Sequence, residues 1–347
     1  MAQKKYTLPR HTNLAKQSTR TSAFLVDLAI SILFVVFFVF AVFRPIFKSR
    51  MNTHLSYINE ERLKSQLYVK DEKGKVDTLP GAQEYETYLE PLKYFYFTYM
   101  NSESVPEAER KVYTVEWFNE NVLKIGVEDE YPCFKYDQTG GVDDPSKIGV
   151  LIDESKRDNA KVLMQKQYKI AVLEVFNSIS NVAEAGARYM LISTTIYVIS
   201  IFVAGAISYV VIPWIMKDGQ TLGKKIFKLG LADSDGYKFH NLRLLMRFMP
   251  FVVVNASLMF LVAINLYIVL SIVAVVFLVS FTLAMSSPKR MSLHDFTAQT
   301  IVVDLKTSKI FETVEEEETY VLREDHLLDD VPVEEGSGEE PEISYEK

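Results

Sequence analysis

The sequence is poor in cysteine, and its few histidines are not clustered. Cys133 is the only cysteine, which excludes an intramolecular disulfide and a cysteine-rich zinc site. The five histidines are scattered, and no two have the i,i+4 spacing that places two imidazoles on one helix face. The sequence therefore predicts neither a metal site nor a cofactor.

Charged residues are almost missing from three long apolar stretches. Residues 189–214 and 250–285 carry no charge, and residues 23–43 carry only Asp27. Apolar stretches of about 18 or more residues are long enough to cross a hydrocarbon core of about 30 Å as helices. This pattern excludes a soluble enzyme of ordinary composition and predicts a multi-pass membrane protein.

The last apolar stretch is too long for a single span. As one helix, residues 250–285 would extend about 54 Å at 1.5 Å per residue, well beyond the thickness of a membrane. We therefore expect a hairpin of two spans that turns near Asn265. A hairpin also returns Lys289 and Arg290 to the side from which it started, as the positive-inside rule favours.

The distribution of basic residues predicts the orientation. Residues 1–22 contain five lysines and arginines and no acid, and the loop 215–249 is also basic, so both are predicted to lie in the cytoplasm. A cleaved signal peptide is the competing interpretation, but no small-residue cleavage site follows residue 43. Four spans with both termini in the cytoplasm satisfy all these constraints.

These arguments divide the chain into segments. We predict an all-α membrane protein, a multi-pass bundle of about four transmembrane helices with a mostly helical extracytoplasmic domain. The predicted segments are a basic N-terminus (1–22), helix 1 (23–43), an extracytoplasmic insert (44–188), helix 2 (189–214), a basic loop (215–249), the hairpin (250–285), a cytoplasmic closing motif (286–305) and an acidic tail (306–347).

The insert and the tail differ sharply in composition. In the insert, Leu89, Leu92, Tyr96 and Tyr99 recur at helical spacing, which indicates a buried helix face with Pro91 near the helix start. The glycine-rich stretch 137–145 indicates a loop. The chain has a net charge of −7, and its acids are concentrated after residue 311, where the low apolar content predicts a disordered tail.

Asp27 is the one charge inside an apolar stretch. A charge in hydrocarbon costs at least about 2.5 kcal/mol, so this carboxylate requires a partner. Arg20 lies two helical turns earlier on the same face, too far for an easy direct pair, and a cation from a neighbouring helix is an alternative. Asp27 also lies about one turn inside the membrane, where water from the cytoplasmic side reaches it.

The cytoplasmic loop contains short elements with clear signals. Lys217 to Phe227 is typical of a turn followed by a short basic amphipathic helix, and Asp233 to Gly236 is typical of a tight turn. Ile301 to Val303 has the character of a strand. The bilayer is the predicted partner of the chain, and anionic lipid headgroups are predicted to bind four loop lysines. These are Lys217, Lys224, Lys225 and Lys228.

Three groups of residues resemble the RDD family of bacterial integral membrane proteins, which is named for one arginine and two aspartates. Arg20 and Asp27 resemble its opening motif, and His294 and Asp295, followed by Thr300, are similar to its closing motif. Gln299 stands where the family usually has glycine. The supporting motif in the central loop consists of Thr221, Gly223, Lys224 and Arg247. The resemblance covers about 1–43 and 185–305, so the insert makes this an atypically long member.

Two functions remain open at this point. The resemblance implies transport by cation/proton exchange, with Arg20, Asp27 and Asp295 as the ion site, although the same trio also fits a network that fixes helix ends. The alternative is a membrane-anchored scaffold or binding protein that presents residues 51–188 outside the cell. The sequence is compatible with a homo-oligomer and leaves the protein partner of the external domain open.

Catalysis and nucleic-acid binding are not expected. The sequence contains no Ser/His/Asp, Cys/His, phosphate-loop or metal-ligand arrangement at useful spacing, so we predict that the protein is not an enzyme. Its basic clusters flank the apolar stretches, where membrane topology already explains them, so we predict no nucleic-acid partner.

Overall fold

The computed structural model describes residues 11–81, 84–126, 133–135, 148–261 and 266–329. Within them the chain is mostly helical, with four short strands that correct the all-α expectation. The α-helices are α1 (Gln17–Phe37), α2 (Arg44–Lys64), α3 (Tyr85–Phe97), α4 (Val115–Asn121), α5 (Arg157–Ile170), α6 (Ser180–Ala206), α7 (Ile212–Ile215), α8 (Leu222–Ile226), α9 (Leu242–Leu261), α10 (Leu266–Ser286), α11 (Leu293–Ala298) and α12 (Val314–Asp329). The strands are β1 (Tyr68–Lys70), β2 (Val76–Thr78), β3 (Leu229–Asp233) and β4 (Thr300–Asp304).

The chain folds as two compact units. The first combines Met1–Phe40 with Tyr197–Lys347, and the second is Ala41–Ile196. The second unit contains the whole of the predicted insert, 44–188. The predicted loop at 137–145 lies outside the described residues.

Two described helical segments are long and apolar enough to cross a membrane. They are Gln17–Lys64 and Ser180–Ile215, and each contains a π-helical turn, at Phe38–Phe43 and at Ile207–Val211. Leu270–Ser286 is a shorter apolar helix. The stretch predicted as a hairpin forms two separate helices, α9 and α10, and the predicted turn at Asn265 lies outside the described residues.

A small antiparallel sheet joins three distant parts of the first unit. Strands β3 and β4 pair from Leu229 opposite Asp304 to Asp233 opposite Thr300. The segment before α1 adds to the edge of this sheet, because the N–H of Ala15 donates to the carbonyl of Val302 at 3.1 Å. The N-terminal segment, the central loop and the closing motif therefore share one hydrogen-bonded sheet.

The acidic tail begins with a helix. The prediction of disorder is wrong for the residues of α12, which are helical, whereas residues 330–347 lie outside the described part of the chain. Side chains anchor this helix to the first unit: the hydroxyl of Tyr237 donates to Glu317 at 3.0 Å, and the ring of Tyr320 packs 5.4 Å from that of Phe311. These contacts offset the low apolar content on which the prediction rested.

The second unit has its own aromatic core. The predicted stripe is confirmed as buried, since Leu89, Leu92, Tyr96 and Tyr99 are all enclosed. Pro91 lies inside α3, not near its start as predicted. The largest enclosed side chains are Tyr88, Phe95, Tyr99, Phe118 and Phe176. Strands β1 and β2 form a short hairpin beside this core.

Candidate functional site

Asp295 lies at the start of α11, where local sequence fixes its position. The spacing Ser292-x-x-Asp295 forms a capping box, in which the serine caps the helix and the aspartate reaches back to the backbone N–H of Ser292 at 3.1 Å. The Ser292 hydroxyl also donates to this carboxylate at 2.6 Å. Asp295 is completely buried, with 0 % of its surface exposed.

Two arginines from distant helices neutralise this buried carboxylate. Arg20 on α1 lies 2.9 Å from Oδ2 of Asp295, and Arg247 on α9 lies 2.5 Å from Oδ1. Arg247 also donates to the hydroxyl of Thr300 at 3.0 Å, and Arg20 donates to the carbonyl of Arg290. Each oxygen of Asp295 thus faces one guanidinium.

The electrostatic surroundings keep Asp295 ionised. Burial is the largest single effect and raises the pKa of this carboxyl. The combined effect of Arg247, His294, Arg20 and the hydrogen bond from Ser292 outweighs burial and holds the pKa of Asp295 below its usual range. Desolvation, together with the positive charge of Arg247 and Lys224, lowers the pKa of His294, whose ring is therefore neutral at pH 7. The His294 Nε2 lies 3.7 Å from Asp295, longer than a hydrogen bond.

Asp27 on α1 is held by a different set of groups. Its carboxylate accepts the backbone N–H of Gly223 at 2.7 Å and the hydroxyl of Thr221, which caps α8. Only 6 % of Asp27 is exposed. The structure does not bring Arg20 to Asp27, since Arg20 pairs with Asp295, and no described cation forms an ion pair with Asp27.

Gly223 is required for this arrangement because α8 lies directly against α1. A Cβ atom at position 223 would overlap the carbonyl oxygen of Ala23 and would lie 2.9 Å from the carboxyl carbon of Asp27. A side chain at this position would separate the two helices. The Gly223 N–H reaches the carboxylate only because glycine has no side chain.

Lys224 completes the group of charges. It is partly buried in the first turn of α8, within electrostatic range of both carboxylates, Asp27 and Asp295, and of both arginines, Arg20 and Arg247. Desolvation, followed by repulsion from Arg247, lowers the pKa of Lys224 to about 7. We call these five residues the charged cluster. It contains three basic groups and two carboxylates, and Lys224 is the basic group that titrates near neutral pH.

Gln299 ends α11 in a left-handed conformation, with φ of 51°. Its carbonyl accepts a hydrogen bond from Arg243 at 2.9 Å. Glycine adopts this conformation without the steric cost that a Cβ adds. The glycine that the RDD family usually has here is thus explained by the backbone, which Gln299 adopts in spite of its side chain.

The loop lysines that the sequence assigns to lipid headgroups separate into two kinds. Lys217, Lys225 and Lys228 are exposed, whereas Lys224 belongs to the charged cluster. The exposed lysines follow large apolar side chains that are also exposed, Trp214 and Ile215 among them. This combination of basic and apolar surface is typical of a membrane interface.

Sequence reasoning missed how these residues pair. It placed Arg247 and Lys224 in a supporting motif, and it did not recognise Ser292, although the capping-box spacing to Asp295 was a readable signal. In the described part of the chain, no group of three or more histidine, cysteine or carboxylate side chains is arranged to hold a metal ion.

Comparison with known families agrees with the resemblance. Residues 167–299 match the RDD family, which confirms that resemblance from the end of the second unit through the central loop to Gln299 in the first unit. The match includes the central loop and Asp295 but not Arg20 and Asp27, which precede the insert. No curated protein and no solved structure matches the chain. The family and the two long apolar helices point to a membrane protein.

Proposed function

We propose that this RDD-family protein crosses the membrane four times and exchanges a monovalent cation for a proton at the charged cluster. The small sheet supports this topology. Because the segment before α1, strand β3 and strand β4 are hydrogen-bonded to one another, they must lie on the same side of the membrane. Consecutive segments of this sheet must then be separated by an even number of spans. Two spans lie between the segment before α1 and β3, and the hairpin of α9 and α10 lies between β3 and β4.

The basic residues support a cytoplasmic location for that side, with the unit 41–196 outside. The positive-inside rule favours this orientation, since the N-terminal segment and the central loop are both basic. The exposed lysines Lys217, Lys225 and Lys228 then face the cytoplasmic leaflet, where anionic lipid headgroups attract them. Stronger thermal stabilisation by anionic than by zwitterionic lipid, reduced when the three lysines are changed to glutamine, would support this contact.

The observation that carries the exchange proposal is the state of Asp27. This carboxylate lies in an apolar helix, is nearly buried, and is held by neutral groups alone among the described residues. Ionisable groups in such positions commonly mark ion pathways. Polar groups continue from it: Ser31 lies one turn further along α1, and Tyr209 hydrogen-bonds to Ser31. A buried Asn255 Nδ2 on α9 has no hydrogen-bond partner among the described residues.

The test is sodium-coupled proton flux in proteoliposomes, with the thermal stability of each variant measured in parallel. Asp27→Asn is the informative change, because an amide oxygen still accepts the Gly223 N–H while the charge is lost. We expect flux to disappear with little loss of stability. Asp218→Asn is the matched control, since Asp218 is an exposed carboxylate in the same loop.

Asp295→Asn distinguishes a structural role from exchange. It leaves two buried arginines without their anion, and breaking a buried pair in this way costs about 3–5 kcal/mol. We therefore expect this variant to be unstable whatever its flux. If Asp27→Asn is equally unstable, or if the intact protein shows no flux, both carboxylates act as structural groups and the exchange proposal fails.

A second candidate function has its own supporting observation. The unit 41–196 has an extensive aromatic core, which the helices of an exchanger do not require. We propose it as a membrane-anchored binding domain if the exchange test fails. Replacing the strongly exposed Val112 and Val162 with a photocrosslinking residue in the full chain tests this role, with exposed Ile215 of the other unit as the control position.

A further inference from the structure

Among the three basic members of the charged cluster, Lys224 is the one that has no direct ionic partner among the described residues. Arg20 and Arg247 both contact Asp295, and Asp27 accepts hydrogen bonds from α8. The ammonium group of Lys224 forms neither an ion pair nor a hydrogen bond with any described residue. It lies outside the candidate membrane spans, and it remains partly accessible to solvent.

We propose that Lys224 carries the exchanged proton, and that a proton on Lys224 and a monovalent cation at Asp27 exclude each other. This inference rests on the exchange function proposed above and names the group that binds the proton. It differs from the sequence-based expectation, in which Asp27 itself exchanges the ion and Lys224 contacts lipid.

The charges that face Lys224 make this exclusion physically reasonable. The charged groups are Arg20 and Asp27 on α1, Arg247 on α9 and Asp295 on α11, and the neutral ring of His294 on α11 also lies within electrostatic range. With Lys224 protonated, the cluster has three positive and two negative charges. The excess positive charge repels an entering cation, and partial burial weakens the screening of this repulsion by water.

Loss of the proton balances the cluster. The Lys224 ammonium becomes a neutral amine, the proton passes to cytoplasmic water, and the cluster then has two charges of each sign. A sodium ion that binds to the Asp27 carboxylate restores the original excess of one positive charge. One proton therefore leaves for each cation that binds, and the net charge of the cluster is the same at the start and the end of the step.

The two sites are also joined through the backbone of α8. Thr221, which donates to Asp27, accepts the N–H of Lys224 at 3.4 Å, and the intervening Gly223 donates to the same carboxylate. In the sequence, Lys224 is thus three residues after Thr221 and directly after Gly223, the two residues that donate hydrogen bonds to Asp27. Its lowered pKa, which results first from desolvation and then from Arg247, places proton release near neutral pH.

Sodium binding to the purified full-length protein between pH 6 and pH 8 tests the exclusion. If proton and cation compete one for one around a pKa of about 7, the apparent affinity falls about tenfold from pH 8 to pH 6. Lys224→Met removes the charge, so its sodium affinity should not change over this range. Lys224→Arg keeps the charge at every pH, so its binding should be weak throughout.

Lys306→Met is the matched control, because Lys306 is an exposed lysine in the turn after β4 and lies outside the charged cluster. It should keep the wild-type pH profile. A Lys224→Met profile that retains the tenfold change would overturn the proposal. So would a Lys224→Arg variant that binds sodium as tightly as the wild type at pH 8.

Amine labelling separates this inference from the exchange function on which it rests. Brief treatment with acetic anhydride at about pH 5.5–11.5, followed by peptide mass spectrometry, reports the neutral fraction of Lys224. We expect its reactivity to level off about three pH units below that of an unstructured lysine peptide, whose pKa is about 10.4. If the reactivity of Lys224 levels off at the same pH as that of the peptide, Lys224 does not carry the exchanged proton, even if Asp27→Asn abolishes flux. An early plateau without sodium binding rejects the exchange function itself.

Discussion

The contact between Gly223 and α1 leads to a quantitative prediction for Gly223→Ala. The added methyl group would meet the Ala23 carbonyl and the Asp27 carboxylate, both fixed by surrounding structure. Forcing one extra carbon into a packed site costs about 1–3 kcal/mol. Displacing α8 also weakens the Gly223 hydrogen bond to a charged acceptor, and such bonds contribute about 1.5–3 kcal/mol. We expect a total destabilisation of about 3–5 kcal/mol.

The two tryptophans allow this loss to be measured in the correct unit. Trp214 belongs to the first unit and Trp117 to the second, so a Trp117→Phe background leaves one fluorescent reporter in the unit that contains Gly223. At about 2–4 °C per kcal/mol for a unit of this size, the Trp214 transition should shift by on the order of 10 °C.

Gly186→Ala in the second unit is the control for a glycine-to-alanine change that meets no neighbour, and it is measured from Trp117 in a Trp214→Phe background. A Cβ at position 186 in α6 meets nothing within 4 Å, and alanine is favoured over glycine in a helix by about 1 kcal/mol. We expect no loss of stability from this change. A Gly223→Ala transition within 1 °C of its parent would refute the contact between α8 and α1 and the account of Asp27 that depends on it.

Three further predictions concern pH, the second unit and the tail. Because the pKa of Asp295 is lowered, its stabilising effect should be complete above the unfolded value of about 3.9 and be lost as the pH falls below it. The melting temperature of the wild type should therefore be steady from pH 8 to 5 and decrease once the pH is below about 4. The decrease should be much smaller in Asp295→Asn. Tyr99→Phe leaves buried Glu61 without its tyrosine donor and should cost about 1.5–3 kcal/mol, measured as faster thermal modification of buried Cys133. Glu317→Ala removes the acceptor that holds α12, so limited proteolysis within α12 should become several-fold faster while the melting temperature changes little.

The apolar stretches predicted much of the helical organisation. The partners of the charged side chains were not predicted, because they are residues far away in the sequence. Segment lengths and uncharged apolar runs are local properties, which is why the two helices of the hairpin were predictable. The pairing of Arg20 with Asp295 joins residues 275 positions apart, and no local pattern specifies it. Sequence reasoning considered Arg20, another cation and water as partners of Asp27, and it missed the backbone N–H of Gly223, because that contact depends on the packing of two helices.

The tail illustrates a different limit of composition. Its run of glutamates predicts disorder, yet α12 is helical where Tyr320 and Glu317 contact aromatic side chains of the first unit. A few side-chain contacts stabilise α12 although the average composition of the tail is acidic and poor in apolar residues. The aromatic residues within the acidic stretch were the available signal, and they were given too little weight.

The pairing of Arg20 with Asp295 also determines how the protein must be made. At a synthesis rate of about 5–20 residues per second, the 275 residues between them take roughly 14–55 s to appear. During that interval the entire unit 41–196 is synthesised, while Arg20 and Asp27 wait on α1 without Asp295 or Thr221. In the proposed four-span topology, the first helix would therefore enter the membrane with its charges unmatched, and it would need protection by water or by the insertion machinery until the last helices emerge.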